Sequence, residues 1–275
     1  MDTAVASRPK LAAPTLGTGA TALCPLEAED APRVAPLFAP SFPNLAFVHA
    51  VLEGHIPGQA FASWEGGRAR ACLIATGAPF CFLAGELSPR FLEEALAFLA
   101  SRPPITLVCS APQEVEARAS AHGFVAAERL QFGGMTPQDA RSQSVEVPEP
   151  YELVRIDDGL FAQVNWKEMV HGIFGSERAY LTHHFGFGLL YEGRLVAEAH
   201  GVVGGGLVEC GLFTQPEHRR RGLTTVVTRQ LMKHAGQLGL RPVATFFAGK
   251  LESARAATQA GLRQEHGYRV FTLSR

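Results

Sequence analysis

The sequence predicts a mixed α/β (α+β) fold built twice over, with a central sheet flanked by helices in each of two halves. Three observations predict it. Residues 207–238 read as a strand, a basic glycine loop and a long helix. Strands and helices follow the order strand, helix, strand, helix, strand near the end of both halves. Two prolines and two glycines also share one offset: Pro104 with Pro242 and Gly123 with Gly261 are each 138 residues apart (242 − 104 and 261 − 123). A constant offset points to a duplicated unit.

At 275 residues the chain is long for one domain and comfortable for two. Its 47% apolar content is that of a soluble globular protein. No apolar run reaches the roughly 18 residues of a membrane span, so no membrane partner is expected. Residues 1–20 carry Asp2 and lack an apolar core, and read as a flexible lead-in rather than a secretory signal. Cys24, Cys72, Cys81, Cys109 and Cys210 are odd in number and scattered without metal-ligand spacing. They read as buried thiols in a reducing cytoplasm, with no metal. Residues 1–150 hold 10 basic against 15 acidic residues, net −5, and residues 151–275 hold 15 against 11, net +4. The second half is therefore where a polyanionic ligand belongs, while so small an excess does not suggest DNA.

The elements follow in order. Residues 26–53 are helical in pattern but broken by Pro32, Pro36, Pro40 and Pro43, giving two or three short helices. Residues 58–64 and 69–76 read as strands around the hairpin turn Glu65-Gly66-Gly67-Arg68, and 79–84 as a third strand. Ser88 caps a helix over PRFLEEALAFLA with Pro89 in its first turn. The strand ITLVCS, a helix over 113–122 stopped by Gly123, and a strand over 125–132 complete the half. Between PFCFLAG and its helix lie only Glu86, Leu87, Ser88 and Pro89, with neither arginine cluster nor glycine loop. Residues 21–135 therefore read as a degenerate copy without a cofactor; the alternative is an unrelated α/β domain. Residues 136–150 are polar and proline-bearing, a surface linker.

In the second half, 151–275, a strand over 151–156 precedes a helical region from Asp158 or Gly159 to about Val170 and a helix over 176–180. Strands follow over 185–191, 195–203 and 207–213, then the long helix, a strand over 242–248 and a helix over 252–259. The chain closes with strands over 262–266 and 268–273, of which the second alternates in polarity and is expected near a sheet edge.

The loop at 214–224 carries the chemistry. Pro216 ends the strand, and Arg219, Arg220, Arg221 and Gly222 precede a helix whose stripe is Leu223, Val226, Val227, Leu231, Ala235 and Leu238. A helix N-terminus has unpaired N–H groups and a partial positive charge, Gly222 lets a ligand approach the backbone, and phosphate suits both.

The spacing Arg219-x-x-Gly222-x-Thr224 resembles the (Gln/Arg)-x-x-Gly-x-(Gly/Ala) loop of the GCN5-related N-acetyltransferases, the GNAT superfamily, with Thr224 in place of the usual small residue. The segments FGFGLLYEGRLVAEA, VECGLFTQPEHRRRGL and GLRPVATFFAGKLESARAATQAGL look like a bacterial branch with a divergent N-terminal GNAT-like half. The resemblance covers 151–275 and implies tandem GNAT-like folds, with acetyl-CoA as cosubstrate beside the central strand. Carried over by position, the backbone of Leu212, Phe213 and Thr214 would pair with pantetheine amides. The N–H groups of Arg219, Arg220, Arg221, Gly222, Leu223 and Thr224 would hold the pyrophosphate. Thr225 would add a hydroxyl, and Ser253 matches a pantetheine-contacting Asn.

An amine of pKa about 10.4 must lose a proton before attacking a thioester, so a base is needed. Glu209, on the central strand among apolar neighbours, is the candidate; a structural carboxylate is the alternative. The family's tyrosine donor is missing from ESARAATQAG, which leaves Tyr268, Tyr180 and His171 as substitutes. Trp166, His171 and Tyr180, with Met169, Phe174, His183 and His184, lie where the resemblance places the acceptor wall. The implied activity is acetyl transfer to a primary amine of a small molecule or peptide, in a monomer or homodimer. Another acyl donor, a longer acyl-CoA or aminoacyl-tRNA, and a non-catalytic acyl-CoA-binding module are the alternatives.

Overall fold

Turns and caps place most elements where the pattern puts them, in a computed structural model that describes residues 22–274; the lead-in expected over 1–20 lies outside the described residues. In the first half these are β1 (Cys24–Pro25), α1 (Ala31–Val34), α2 (Leu45–Leu52), β2 (Gly58–Glu65), β3 (Arg68–Thr76), β4 (Phe80–Gly85), α3 (Pro89–Ala100), β5 (Ile105–Cys109), α4 (Pro112–Ala121) and β6 (Val125–Gly133). Then come α5 (Pro137–Arg141), β7 (Glu152–Arg155), α6 (Asp158–Phe161), α7 (Lys167–Phe174), α8 (Glu177–His183), β8 (Phe185–Tyr191), β9 (Arg194–Gly204) and β10 (Leu207–Thr214). The chain ends with α9 (Leu223–Gln237), β11 (Arg241–Phe247), α10 (Leu251–Gln259) and β12 (Arg263–Leu273).

The twelve strands of the described residues form one mixed sheet in the order β1-β2-β3-β4-β5-β12-β6-β11-β10-β9-β8-β7. The order interleaves the halves. β12 lies between β5 and β6, and β6 lies between β12 and β11. Each half thus lends its last strand to the sheet of the other, and β6 and β12 run antiparallel from Arg263↔Gly133 to Thr272↔Val125.

This interleaving corrects one expectation. The two closing strands are a single β12, irregular between Gln264 and His266, and it is interior rather than at an edge. Alternation reports a sheet face open to solvent, which interior antiparallel strands show as readily as edge strands. Two further segments differ from the sequence reading. The helical region of 158–170 is broken into α6 and α7. The segment 136–150 contains α5, capped by a reciprocal Thr136–Asp139 box. A Cβ on Gly236 would lie 2.4 Å from both Arg141 N and Pro137 O, so α5 docks on α9 at backbone contact distance.

Strand period 2 sends neighbouring residues to opposite faces. Leu73 packs with Phe91, Leu96 and Val115 under α3 and α4, whereas Ile74 joins a core on the other face. Val208 packs with Val227 and Leu231 of α9. The second face buries residues of both halves together, including Phe47, Phe82, Phe161, Phe174, Tyr180 and Val202. There α2 lies across the start of the β9–β10 hairpin, where a Cβ on Gly204 would meet Ala46 O and Ala50 N at 2.4 Å each. That contact brings the first half onto Glu209, which faces this side.

Candidate active site

The parallel pair β10–β11 sets the geometry. Its ladder consists of Leu207↔Arg241, Val208↔Pro242 and Glu209↔Val243. Past Glu209, β10 continues to Thr214 paired with β9, while β11 bonds to β6 over residues 244–247. The two strands part at Glu209, and a wedge opens along residues 210–214. The corresponding pair in the first half does not open: β4 and β5 stay in register from Phe80↔Thr106 to Leu83↔Cys109, the end of β5.

Behind the wedge stands the start of α9. Gly222 precedes it at φ 77°, ψ 0°, a left-handed conformation that favours glycine. Among the described residues no side chain caps α9, and its first turn holds no acid. A Cβ on Gly222 would meet no atom of the described residues within 4 Å. Arg219, Arg220, Arg221 and Gly222 are all exposed. The loop is tied from beneath: Arg219 Nε donates to Thr214 O at 3.1 Å, and Arg221 donates to Tyr151 Oη at 3.0 Å and Glu217 O at 3.3 Å. Thr224 and Thr214 join hydroxyls at 2.9 Å, and Thr225 donates to Gln259 Oε1 at 3.3 Å. Leu223 is buried beneath the corner, and Ser253 is half-buried in the first turn of α10. The counterpart helix α3 is different, since Ser88 Oγ accepts from Phe91 N at 3.2 Å and satisfies that helix start from within the chain.

At the apex of the wedge, Glu209 is 4% exposed and belongs to a buried polar network. Its Oε1 accepts from Asn44 Nδ2 at 2.5 Å and from Thr245 Oγ1 at 2.7 Å. Tyr268 Oη donates to Asn44 Oδ1 at 2.8 Å. Arg129 donates to Tyr268 Oη at 3.1 Å and to Thr245 Oγ1 at 2.8 Å, with Phe247 and Phe80 flanking its guanidinium at 4.6 and 5.4 Å. Glu209 Oε2 has no hydrogen-bond partner among the described residues. Burial pushes the Glu209 carboxyl above the usual carboxylate range; Thr245, the Arg129 charge and Asn44 pull the other way without cancelling it. Burial likewise raises the Tyr268 phenol.

The expected acceptor-wall residues separate into two groups. Trp166 is half-buried over β10, its Cζ3 2.9 Å from where a Cβ on Gly211 would be, two residues along the wedge from Glu209. His171 is exposed and stacks on Phe161 with ring centroids 5.3 Å apart. Tyr180, by contrast, is fully buried, so it presents no surface to a ligand. Its hydroxyl meets His200 Nδ1 at 3.0 Å, and His200 Nε2 stands 3.5 Å from Glu198. Glu198 accepts from the backbone N–H groups of Asn165 and Trp166 at 3.0 and 2.8 Å. Burial pushes the Glu198 carboxyl up, but His200 and those N–H groups outweigh it and hold the group below its usual range. This chain of contacts fixes the backbone that carries Trp166.

A strand-parting apex with an internal carboxylate, beside an uncapped helix start, brings a proton acceptor close to a place that suits an anion. The model of the GNAT acetyltransferase family matches residues 36–271. The chain belongs to this family and is an acyltransferase. Among solved structures it is similar to a GCN5-related N-acetyltransferase-like protein from Streptococcus suis 89/1591 (TM-score 0.70, 22% identity, 89% of this chain and 98% of that one). It is also similar to a GCN5-related N-acetyltransferase from Sphaerobacter thermophilus (0.61, 15%, 91% and 94%). A third is a tandem GNAT protein from the clavulanic acid biosynthesis pathway (0.59, 16%, 91% and 97%). At these identities the likeness shows the fold, a tandem GNAT arrangement. No curated protein matches the sequence significantly.

Three site residues escaped the sequence reading: Asn44, Arg129 and Thr245. Arg129 carried only a partial signal, because its strand also holds Glu128 and Gln131 and a charge there is unexceptional. Asn44 and Thr245 carried none, because only the long-range fold brings them to Glu209.

Proposed function

We propose that the chain is an acetyl-CoA-dependent N-acetyltransferase acting on a primary amine of a small molecule or peptide. The observation that supports this most is the wedge between β10 and β11, which opens at Glu209 and leads to the uncapped start of α9. In this reading the diphosphate lies on the N–H groups of residues 219–224, where the helix start supplies positive potential and the exposed Arg219, Arg220 and Arg221 supply counter-charge. Thr225 adds a hydroxyl, and Ser253 approaches from α10. The pantetheine arm pairs with the backbone of Leu212, Phe213 and Thr214, which have no β11 partner.

The amine nitrogen attacks the thioester carbonyl carbon; the N–C bond forms, the C–S bond breaks, and the sulfur leaves with its electron pair. Glu209 takes the proton released from the amine. Its raised pKa suits it to this work near neutral pH. A thiol of pKa about 8.5 departs readily as thiolate without a donor; Tyr268, the candidate donor, would have to turn its hydroxyl away from Asn44 Oδ1 to serve it. The N–H of Leu212 supports the developing oxyanion. Trp166 and His171 border the acceptor, with Tyr180 acting through His200 and Glu198. The five free cysteines suit a cytoplasmic setting.

Thiol release from acetyl-CoA over a panel of primary amines tests the reading. Amine-dependent release is expected, with a loss of about 10²- to 10⁴-fold in the Glu209→Gln variant. Full turnover in that variant contradicts the base assignment, and acetyl-CoA binding without release by any amine contradicts the enzyme assignment.

A further inference from the structure

The first half of the chain supplies two members of the Glu209 network, and the network has a direction. Arg129 has only donors. It gives one to the Tyr268 hydroxyl and one to the Thr245 hydroxyl, so each hydroxyl sends its own proton onward: Tyr268 to Asn44 Oδ1, Thr245 to Glu209 Oε1. With Oδ1 occupied by the Tyr268 proton, the amide nitrogen of Asn44 must face Glu209, and it does so at 2.5 Å. Oε1 therefore receives two donors, and a proton placed there would collide with both. Oε2 is the oxygen left without a partner.

We propose that Asn44 is a positioning residue for Glu209, which holds Oε1 as a fixed acceptor so that Oε2 alone receives the proton of the attacking amine. This rests on the reading of Glu209 as the base. It also gives the first half a part in the chemistry, since without it the carboxylate loses Asn44, and Arg129, the charge that polarises the network.

The backbone agrees with a dedicated role. Asn44 is 1% exposed and left-handed at φ 57°, ψ 29°, a conformation that Asn tolerates better than other side-chain-bearing residues. It sits at the N-cap of α2 without capping it. Its amide is turned away from the helix it precedes and spent on the network. The seating of α2 on Gly204 fixes the distance.

The test is the titration of Glu209, followed through its side-chain carboxyl carbon by NMR on protein labelled with ¹³C-glutamate and assigned with Glu209→Gln. Asn44→Gly removes the amide and suits the left-handed backbone; Asn44→Asp keeps the shape and, as a carboxylate, puts an acceptor and a like charge where the donor stood. A donor to the charged form lowers a carboxyl pKa, so the midpoint should rise in both variants, in Asn44→Gly by about one to two units. The acid limb of kcat/KM, measured with any amine active in the panel, should move with it, while KM for acetyl-CoA stays constant. An unmoved midpoint in either folded variant overturns the proposal. The base reading fails separately: turnover retained by Glu209→Gln removes both, whereas an inactive Glu209→Gln beside an unmoved Asn44→Gly removes only the positioning role.

Discussion

The hydroxyl of Tyr268 donates to the side-chain oxygen of Asn44 at 2.8 Å, across 224 residues of sequence. One partner lies on β12, the other at the entry to α2, and the amide between them reaches Glu209 on β10. The halves are therefore joined by the buried network at the apex of the wedge as well as by shared strands.

Gly204 is the seat of the junction. A Cβ there would enter the backbone of α2 at 2.4 Å, with no flexible side chain to give way. Gly204→Ala should cost about 1–3 kcal/mol, as overpacking does, and lower kcat by drawing Asn44 off Glu209. Urea unfolding and thiol release check the two effects; CoA affinity should be unchanged, because the α9 corner is untouched.

Ser88 serves the first half only. Its hydroxyl caps α3 by accepting from Phe91 N. Ser88→Ala should lower stability by about 1 kcal/mol and leave CoA affinity and turnover as they were. Measuring the urea midpoint alongside calorimetry with CoA distinguishes this from an effect on the active half.

His184 gives a pH dependence with a definite sign. It is buried, its Nδ1 accepts from Val203 N–H at 3.1 Å, and its Nε2 faces His55 O at 3.2 Å, so the neutral ring fits and the cation does not. Burial lowers its pKa from 6.5 to about 4. A depressed histidine stabilises fully above its unfolded pKa and loses that contribution as pH falls through the window from 6.5 toward 4. Its part of the loss should reach about 2 kcal/mol between about pH 8 and about pH 5. Comparing denaturation of the protein and of His184→Gln at both pH values should show a shallower slope in the variant.

Local chemistry accounts for what the sequence disclosed. Ser88, Gly222 and the break at Pro216 each act within a few residues, so the cap, the loop and the change from strand to helix were legible, as was the offset that relates the halves. Glu209 was legible as a charge within an apolar strand. The interleaving of β6 and β12 was not, because an interior antiparallel strand with one wet face alternates as an edge strand does. Asn44 was hidden for another reason: an asparagine after a proline reads as a turn, and only the docking of α2 against Gly204 turns it into a partner of Glu209. The position of Tyr180 in the sequence points to the acceptor wall, whereas the ring packs inward on Phe161, Phe174 and His200.

The central claim is that the α9 corner and the wedge beside it hold one coenzyme. Calorimetric titration with CoA tests it most directly, on the protein and on the Arg221→Glu/Gly222→Asp double variant, which puts acid at the uncapped helix start. One CoA should bind per chain, because Ser88 closes the equivalent corner of the first half, and the double variant should lose binding while keeping its far-UV circular dichroism. Absence of binding to the unaltered protein, a second equivalent, or undiminished affinity in the folded double variant would contradict the account.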